Sequence, residues 1–442
     1  MQTPMQTMQT MQTFARRRRL LLDRIGDGGV AVIGGRKVLS RNSDSEYRFR
    51  QPSDLWFLTG FTEPEALCVL KPGAKEEFTL FVRPRDPERE TWTGRRAGVE
   101  GARTQFKADA AFSIAEVDKE LVRLVDGAHE LLYLHGDDAE LDSLMVRTLE
   151  TLRQGQRRSL RAPTLIRDLR SVLHEIRLFK DDEALATLKR AVVVTAEAHR
   201  AAMKQAHSGV REYEIEALID YTFRRKGGLP GYSTIVGGGD NATILHYIEN
   251  SEPLKKGELL LIDAGCEIDG FTADVTRTFP IDAEFSPAQR ALYEVVLGTE
   301  KRCIEAVKPG ARVDEIHQLA VESLTEGLLA LKLLSGSAKE AIEKETYKRF
   351  FMHRTSHWLG MDVHDVGAYY DEGVSRALAP NMVLTVEPGL YVRGDDDTVP
   401  AEFRGIGIRI EDDVLVTSSG HEILTRAIPK EIDDLEAIVA AG

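Results

Sequence analysis

The chain has 442 residues, 42 % of them hydrophobic and 29 % charged, which is ordinary globular composition and enough length for about two or three domain cores. A formal net charge of −13 excludes nucleic acid as a general partner. Three cysteines (Cys68, Cys266, Cys303) supply neither a disulfide framework nor a zinc-type pair, and no run approaches the roughly 18 apolar residues of a membrane helix. A reducing, cytoplasmic setting is therefore expected.

The opening Met-Gln-Thr repeats make no amphipathic face, so residues 1–12 are expected to be disordered. The first folded helix is placed at FARRRRLLLDRIG (14–26), with Arg16 to Arg19 as a solvated face. The acid-free, Arg-bearing start also hints at a targeting peptide, but its LLL run is too short for a signal segment. GVAVIGG (29–35), LWFLTGF (55–61), ALCVLKP (66–72) and FTLFVRP (78–84) read as strands, and the stretches near 113–126 and 140–154 as helices. This alternation predicts a smaller three-layer α/β domain over residues 13–175. Charged helical sequence (171–203) follows. Helices are then expected near 212–226, 287–306, 313–331 and 338–350, interspersed with hairpins. That pattern predicts an α+β domain over 176–442, with helices on a curved antiparallel sheet. Gly237-Gly238-Gly239 lacks the context of a phosphate loop and reads as a loop where backbone approaches a site.

Five residues of this second domain carry the chemistry. Asp263 lies in LLLIDAG (259–265), Asp274 in GFTADVTRTF (270–279), His357 in HRTSHWLGMDVHD (353–365), Glu387 in LTVEPGLY (384–391) and Glu411 in GIRIEDD (407–413). Carboxylates in apolar strand-like runs are costly to bury unpaired, and divalent cations would remove that cost. The donor set is hard, oxygen-rich and free of thiolate, which favours Mn²⁺-type ions, with Co²⁺, Zn²⁺ or Fe²⁺ as substitutes. The run 259–279 reads as a hairpin turning at Asp269-Gly270. Asp274 then faces Gly265, with Asp263 its diagonal neighbour about 7–8 Å away on the same face. Arg409 and Glu411 share a face by the strand period of two.

His353, His357 and His364 fall within one short segment beside a glycine, and His246 sits in GGGDNATILHYIEN. His357 is the natural ligand, while the others suit substrate contact or proton movement. His135, His174, His199, His207 and His317 are expected to be packing or surface residues, and packing is likewise expected for Cys266.

The segments ILHYIEN, LLLIDAGCEIDGFTADVTRTFP, HRTSHWLGMDVHDVG, MVLTVEPGLY and FRGIGIRIEDDVLV resemble those of Xaa-Pro aminopeptidases (aminopeptidase P), which are metallopeptidases of the pita-bread fold. SDSEYRFRQPSDLWFLTGFTEPEA (43–66) and ETWTGRRAG (90–98) are similar to the amino-terminal domain of that family. The resemblance covers most of residues 14–430. It implies a pita-bread catalytic domain holding two divalent metal ions. Asp263 would bind one ion, Asp274 and Glu411 would bridge the pair, and His357 and Glu387 would complete the ligand set. A bridging water or hydroxide would be the nucleophile. His246, His364 and Arg409 match second-layer and substrate-contact positions, with Glu387 also a proton carrier. His353 and Tyr391 match the substrate pocket, and Asp44 and Trp92 match positions by which the amino-terminal domain lines the cleft. The implied reaction releases the N-terminal residue from peptides with proline in the second position, in a homo-dimer or tetramer. Prolidase, acting on Xaa-Pro dipeptides, shares the ligands, but WLGMDVHD, GIGIRIEDD and residues 43–60 are more similar to aminopeptidase P. Non-catalytic pita-bread binding proteins and metal-free creatinase-like enzymes lack ligand residues that all stand here, and methionine aminopeptidases lack so large an amino-terminal domain.

Overall fold

A computed structural model of the chain describes residues 10–282 and 284–442, so the disorder expected for residues 1–9 falls outside it. The chain divides into two compact units, one ending at Arg177 and one running from Leu178 to Gly442.

The first unit is built on a mixed six-stranded sheet. Its strands run, in spatial order, Ala110–Ser113, Phe78–Val82, Leu67–Leu70, Gly29–Gly34, Glu130–Tyr133 and Leu165–Asp168. The central strands read as continuous apolar runs because both faces are covered. Val30, Val32, Val69 and Leu131 pack against the helices Val117–Val125 and Ala139–Gln154. Ala31, Ile33, Cys68 and Leu80 are equally buried on the alternate face.

Three expectations for this unit are corrected. LWFLTGF is not a strand: Ser53–Thr59 forms a helix closed by Gly60 in the left-handed region (φ 68°). A short apolar run does not distinguish a buried strand from a buried helix. The first helix spans Met11–Ile25 and is capped by the Thr10 side chain, so Met11 and Gln12 are ordered. Arg17 and Arg18 are buried rather than solvated. The Arg17 guanidinium stacks on Phe57, and Arg18 lies over Phe78 while donating to the Leu58 carbonyl at 2.8 Å. Planar, weakly hydrated guanidinium tolerates this packing.

The second unit is α+β. One three-stranded antiparallel sheet contains Ile235–Gly238, Leu259–Asp263 and Thr276–Pro280, and another contains Val383–Val386, Asp412–Val416 and His421–Ile423. The helices Asp182–Gln205, Glu212–Arg225, Pro287–Ala306 and Val313–Ala330 bury their apolar faces in the core shared with these strands. The helix expected near 338–350 is two pieces, Ala338–Glu343 and the 3₁₀ turn Thr346–Arg349, separated where Glu345 takes φ 54°. Gly237 and Gly238 are strand residues paired with Leu261 and Leu260, not a loop beside the site.

The hairpin register matches the pattern read from sequence. Ile268 pairs with Phe271 across the Asp269-Gly270 turn, both turn residues having positive φ, and Asp263 pairs with Thr276 further along. Gly265 is required here: a Cβ would lie 1.8 Å from the Ala273 carbonyl oxygen. That close approach brings the two strands together beside both aspartates.

Candidate metal centre

Asp263 ends its strand, Asp274 lies two residues before Thr276–Pro280, and Glu411 lies between Ile406–Arg409 and Asp412–Val416. The His357 segment is stitched alongside Val383–Val386. Thr385 N–H donates to the His357 carbonyl at 2.9 Å, and Glu387 N–H donates to the Thr355 carbonyl at 2.9 Å. These elements converge on a cavity of about 1050 Å³ whose lining includes Asp263, Asp274, His357, Glu387, Arg409 and Glu411.

Three donors converge most tightly. One ligand atom each of Asp274, His357 and Glu411 lie within 4.8 Å of one another. His357 Nε2 is 3.2 Å from Asp274 Oδ2 and 3.5 Å from Glu387 Oε1. Its Nδ1 faces the Trp358 carbonyl at 3.1 Å, which fixes Nδ1 as the protonated nitrogen and leaves Nε2 as the donor atom. Arg409 donates to Asp263 Oδ2 at 2.7 Å, to Thr276 Oγ1 at 3.0 Å and to Tyr391 Oη at 3.1 Å. His353 Nε2 meets Tyr391 Oη at 2.8 Å, and its Nδ1 lies 3.8 Å from Glu387. The His364 ring stands edge-on to His357 with centroids 4.4 Å apart, and His246 lines the same cavity.

The electrostatics show what this cluster lacks. Burial raises the carboxyls of Asp263 and Glu411, with Asp274 repelling both. Burial also lifts Glu387 to about 7. Burial would lower His357, but Asp274 and Glu387 outweigh it and hold the imidazole at about 9. Burial holds His353 down to about 3. Three buried carboxylates and the partly buried Glu387 thus share one guanidinium and one imidazole. Divalent cations fit such a set, because oxygen and imidazole donors are present, thiolate is absent and the surplus negative charge needs compensation.

The comparisons with known proteins agree with this geometry. The model of Metallopeptidase family M24 matches residues 186–418, and that of the Aminopeptidase P N-terminal domain matches residues 14–133. The chain is 43 % identical over 434 residues to a Xaa-Pro aminopeptidase of Escherichia coli (strain K12), covering 98 % of each protein.

The chain belongs to metallopeptidase family M24.

Structural likeness extends over nearly the whole length. An aminopeptidase PepP of Pseudomonas aeruginosa superposes with a TM-score of 0.97 at 43 % identity, covering 99 % of each chain. Zn-substituted E. coli aminopeptidase P in complex with product superposes at 0.94 with 42 % identity, covering 98 % of this chain and 99 % of that one. The fold is an Aminopeptidase P N-terminal domain followed by an M24 pita-bread unit, and divalent metal ions belong to its chemistry.

Not every candidate lies in the M24 cavity. Asp44 and Trp92 belong to the first unit, where both are exposed. Of the histidines expected to be packing residues, His199 is buried against the Ala264 carbonyl at 3.0 Å, and His317 meets Thr355 Oγ1 at 2.8 Å. Cys266 is buried.

Sequence reasoning missed Tyr232 and Thr276. Tyr232 Oη lies 2.7 Å from Asp263 Oδ1 and 2.6 Å from Asp274 Oδ1. Thr276 Oγ1 donates to Glu411 Oε2 at 2.6 Å. The period of two pointed to Thr276, which shares a strand face with Asp274. Tyr232, in LPGYST, carries no comparable signal.

Proposed function

We propose that this chain is a two-metal Xaa-Pro aminopeptidase, releasing the N-terminal residue from peptides whose second residue is proline. The observation that carries the reading is the convergence of four carboxylates and His357 on one roomy cavity, in a chain similar along its length to Xaa-Pro aminopeptidases.

Asp263, Asp274, His357, Glu387 and Glu411 would hold the ions, with Asp274 and Glu411 shared between them. When bound, the ions supply Lewis acidity and acidify water. The hard donors favour Mn²⁺, with Co²⁺ or Zn²⁺ as replacements. The protein's own groups do the rest. The bond to a proline nitrogen has no N–H, so recognition comes from shape: His353, which lines the cavity, forms a rigid wall for the ring, held from behind by the buried Tyr391, itself bonded to Arg409. His246 and His364 hold the scissile carbonyl and the peptide beyond it, stabilising developing negative charge. Glu387, lining the cavity beside His357, takes a proton and delivers it to the leaving nitrogen.

Cavity size supports this reading over a dipeptidase. A volume of about 1050 Å³ reaches the upper end of the range for small-molecule sites and leaves room well beyond an Xaa-Pro dipeptide. The presence of every ligand residue argues against a non-catalytic binding role. The three cysteines, all free and buried, suit a reducing cytoplasm. Among the described residues no helix is long and apolar enough to cross a membrane. Self-association into a dimer or tetramer completes the reading, with the exposed Trp92 and Asp44 as its contact residues on a neighbouring subunit.

The test is hydrolysis of Xaa-Pro-Yaa, Xaa-Pro and Xaa-Ala-Yaa by the Mn²⁺-loaded protein. Preference for the first by at least an order of magnitude is expected. Equal or better cleavage of the dipeptide would assign the chain to the prolidases instead.

A further inference from the structure

Arg277 follows Thr276 on the same strand, so its side chain leaves the face opposite the metal cavity. It is fully buried, and each of its five N–H donors has an acceptor. Nη1 donates to the Glu411 carbonyl at 2.6 Å and to the Thr276 carbonyl at 3.0 Å. Nη2 donates to Asp412 Oδ1 at 2.7 Å and to the Ile428 carbonyl at 3.1 Å, and Nε donates to the Pro429 carbonyl at 3.0 Å. One guanidinium therefore ties three backbone segments together directly behind the carboxylates.

The anchor of this knot is the segment 425–430. Thr425 Oγ1 donates to Asp412 Oδ1 at 2.6 Å and accepts from Asp413 N–H at 3.0 Å. Lys430 bridges Asp412 and the buried Glu300 of helix Pro287–Ala306. Four charged side chains thus lie behind the metal cavity, all shielded from solvent except the partly buried Lys430. Buried ion pairs are poor stabilisers, since well-packed apolar groups often do as well. What the guanidinium fork provides is direction: five fixed vectors that an apolar side chain lacks.

We propose that Arg277, anchored by the segment Thr425–Lys430, is a positioning residue that holds the Glu411 backbone so that its carboxylate meets Asp274 and His357. The inference rests on the reading of Glu411 as a metal ligand. It makes the segment Thr425–Lys430, which supplies no cavity-lining residue, part of the metal-binding apparatus.

Calorimetric titration of the metal-stripped full chain with Mn²⁺ tests it, alongside thermal unfolding. Arg277→Met is expected to weaken Mn²⁺ binding by about 10–100-fold, the usual effect of losing an outer support. Arg277→Lys, which keeps the charge but loses the fork, falls between it and the wild type. Thr425→Val, which changes no charge, weakens binding by a smaller factor in the same direction. Arg177→Met removes an equally buried ion-pairing guanidinium from the other unit and should lower the unfolding temperature without altering Mn²⁺ affinity. A folded Arg277→Met with wild-type affinity overturns the proposal. If that variant does not fold, wild-type affinity in Thr425→Val overturns it. Glu411→Ala belongs in the same series: wild-type affinity there would sink the metal-ligand reading itself, a different failure from that of Arg277.

Discussion

Thr276 and Glu411 are joined twice. The Thr276 hydroxyl donates to Glu411 Oε2 at 2.6 Å, and the Thr276 carbonyl accepts the Glu411 N–H at 3.1 Å. The same hydroxyl accepts from Arg409 Nε at 3.0 Å, so a single oxygen orients both a carboxylate and the guanidinium that pairs with Asp263.

Thr276→Val keeps the shape of the side chain and the backbone bond but removes the hydroxyl. The buried Glu411 oxygen then loses its donor. We expect metal affinity to fall by about 10–100-fold with little change in secondary structure. Equilibrium dialysis against Mn²⁺ checks this. Unchanged affinity would show that the backbone bond alone suffices.

The donor set itself is tested by metal content. The Mn²⁺-saturated protein should carry two ions per chain and lose activity with chelator, recovering best with Mn²⁺. Asp274→Ala should abolish both turnover and metal pairing. His364→Ala should keep its metal and lose about 10²–10³-fold in rate, the scale of one acid–base or oxyanion group. Atomic absorption on both variants decides the matter. One ion per fully active chain, or metal loss from His364→Ala, contradicts the assignment.

Asp54 predicts a pH dependence in the first unit, remote in sequence from the metal ligands. Burial pushes its carboxyl up, but Arg177 at 2.7 Å and His174 at 3.0 Å outweigh burial and bring it to about 2, from 3.8. A depressed carboxylate stabilises the folded state above its unfolded value, and that contribution disappears as pH falls from about 4 towards 2. The shift corresponds to about 2 kcal/mol. Asp54→Asn should therefore lower stability at pH 7 and flatten the acid limb of the unfolding curve. Parallel curves for mutant and wild type between pH 5 and 2 would contradict this.

Much of the site was legible because its signals are local. Asp269-Gly270 set the hairpin register that places Asp263 near Asp274, and the period of two put Arg409 with Glu411. What escaped depends on distant packing. Tyr232 meets partners 31 and 42 residues away. Nothing in a run of arginines says that Arg17 and Arg18 will find aromatic faces while Arg19 stays in solvent. LWFLTGF failed for another reason: a short, mostly apolar run suits either a buried strand or a buried helix, and the helix-ending Gly60 was the cue that mattered.

Trp92 supplies the last prediction. It is 87 % exposed at the end of a short helix, Pro87–Thr93, that buries none of its side chains. A large aromatic ring held in solvent gains nothing for its own domain, and tryptophan is enriched where interfaces concentrate binding energy. Leu39 and Tyr47 of the same unit are also exposed, at 73 % and 57 %. We expect the chain to sediment as a dimer or tetramer and Trp92→Ala to weaken that assembly. If the ring reaches a neighbouring subunit's cleft, the variant should also lose kcat/KM on longer peptides more than on tripeptides. Sedimentation velocity and a peptide-length series on the same sample separate the two effects. A fully active wild-type monomer, or a variant with unchanged assembly and unchanged length dependence, would remove Trp92 from any shared site.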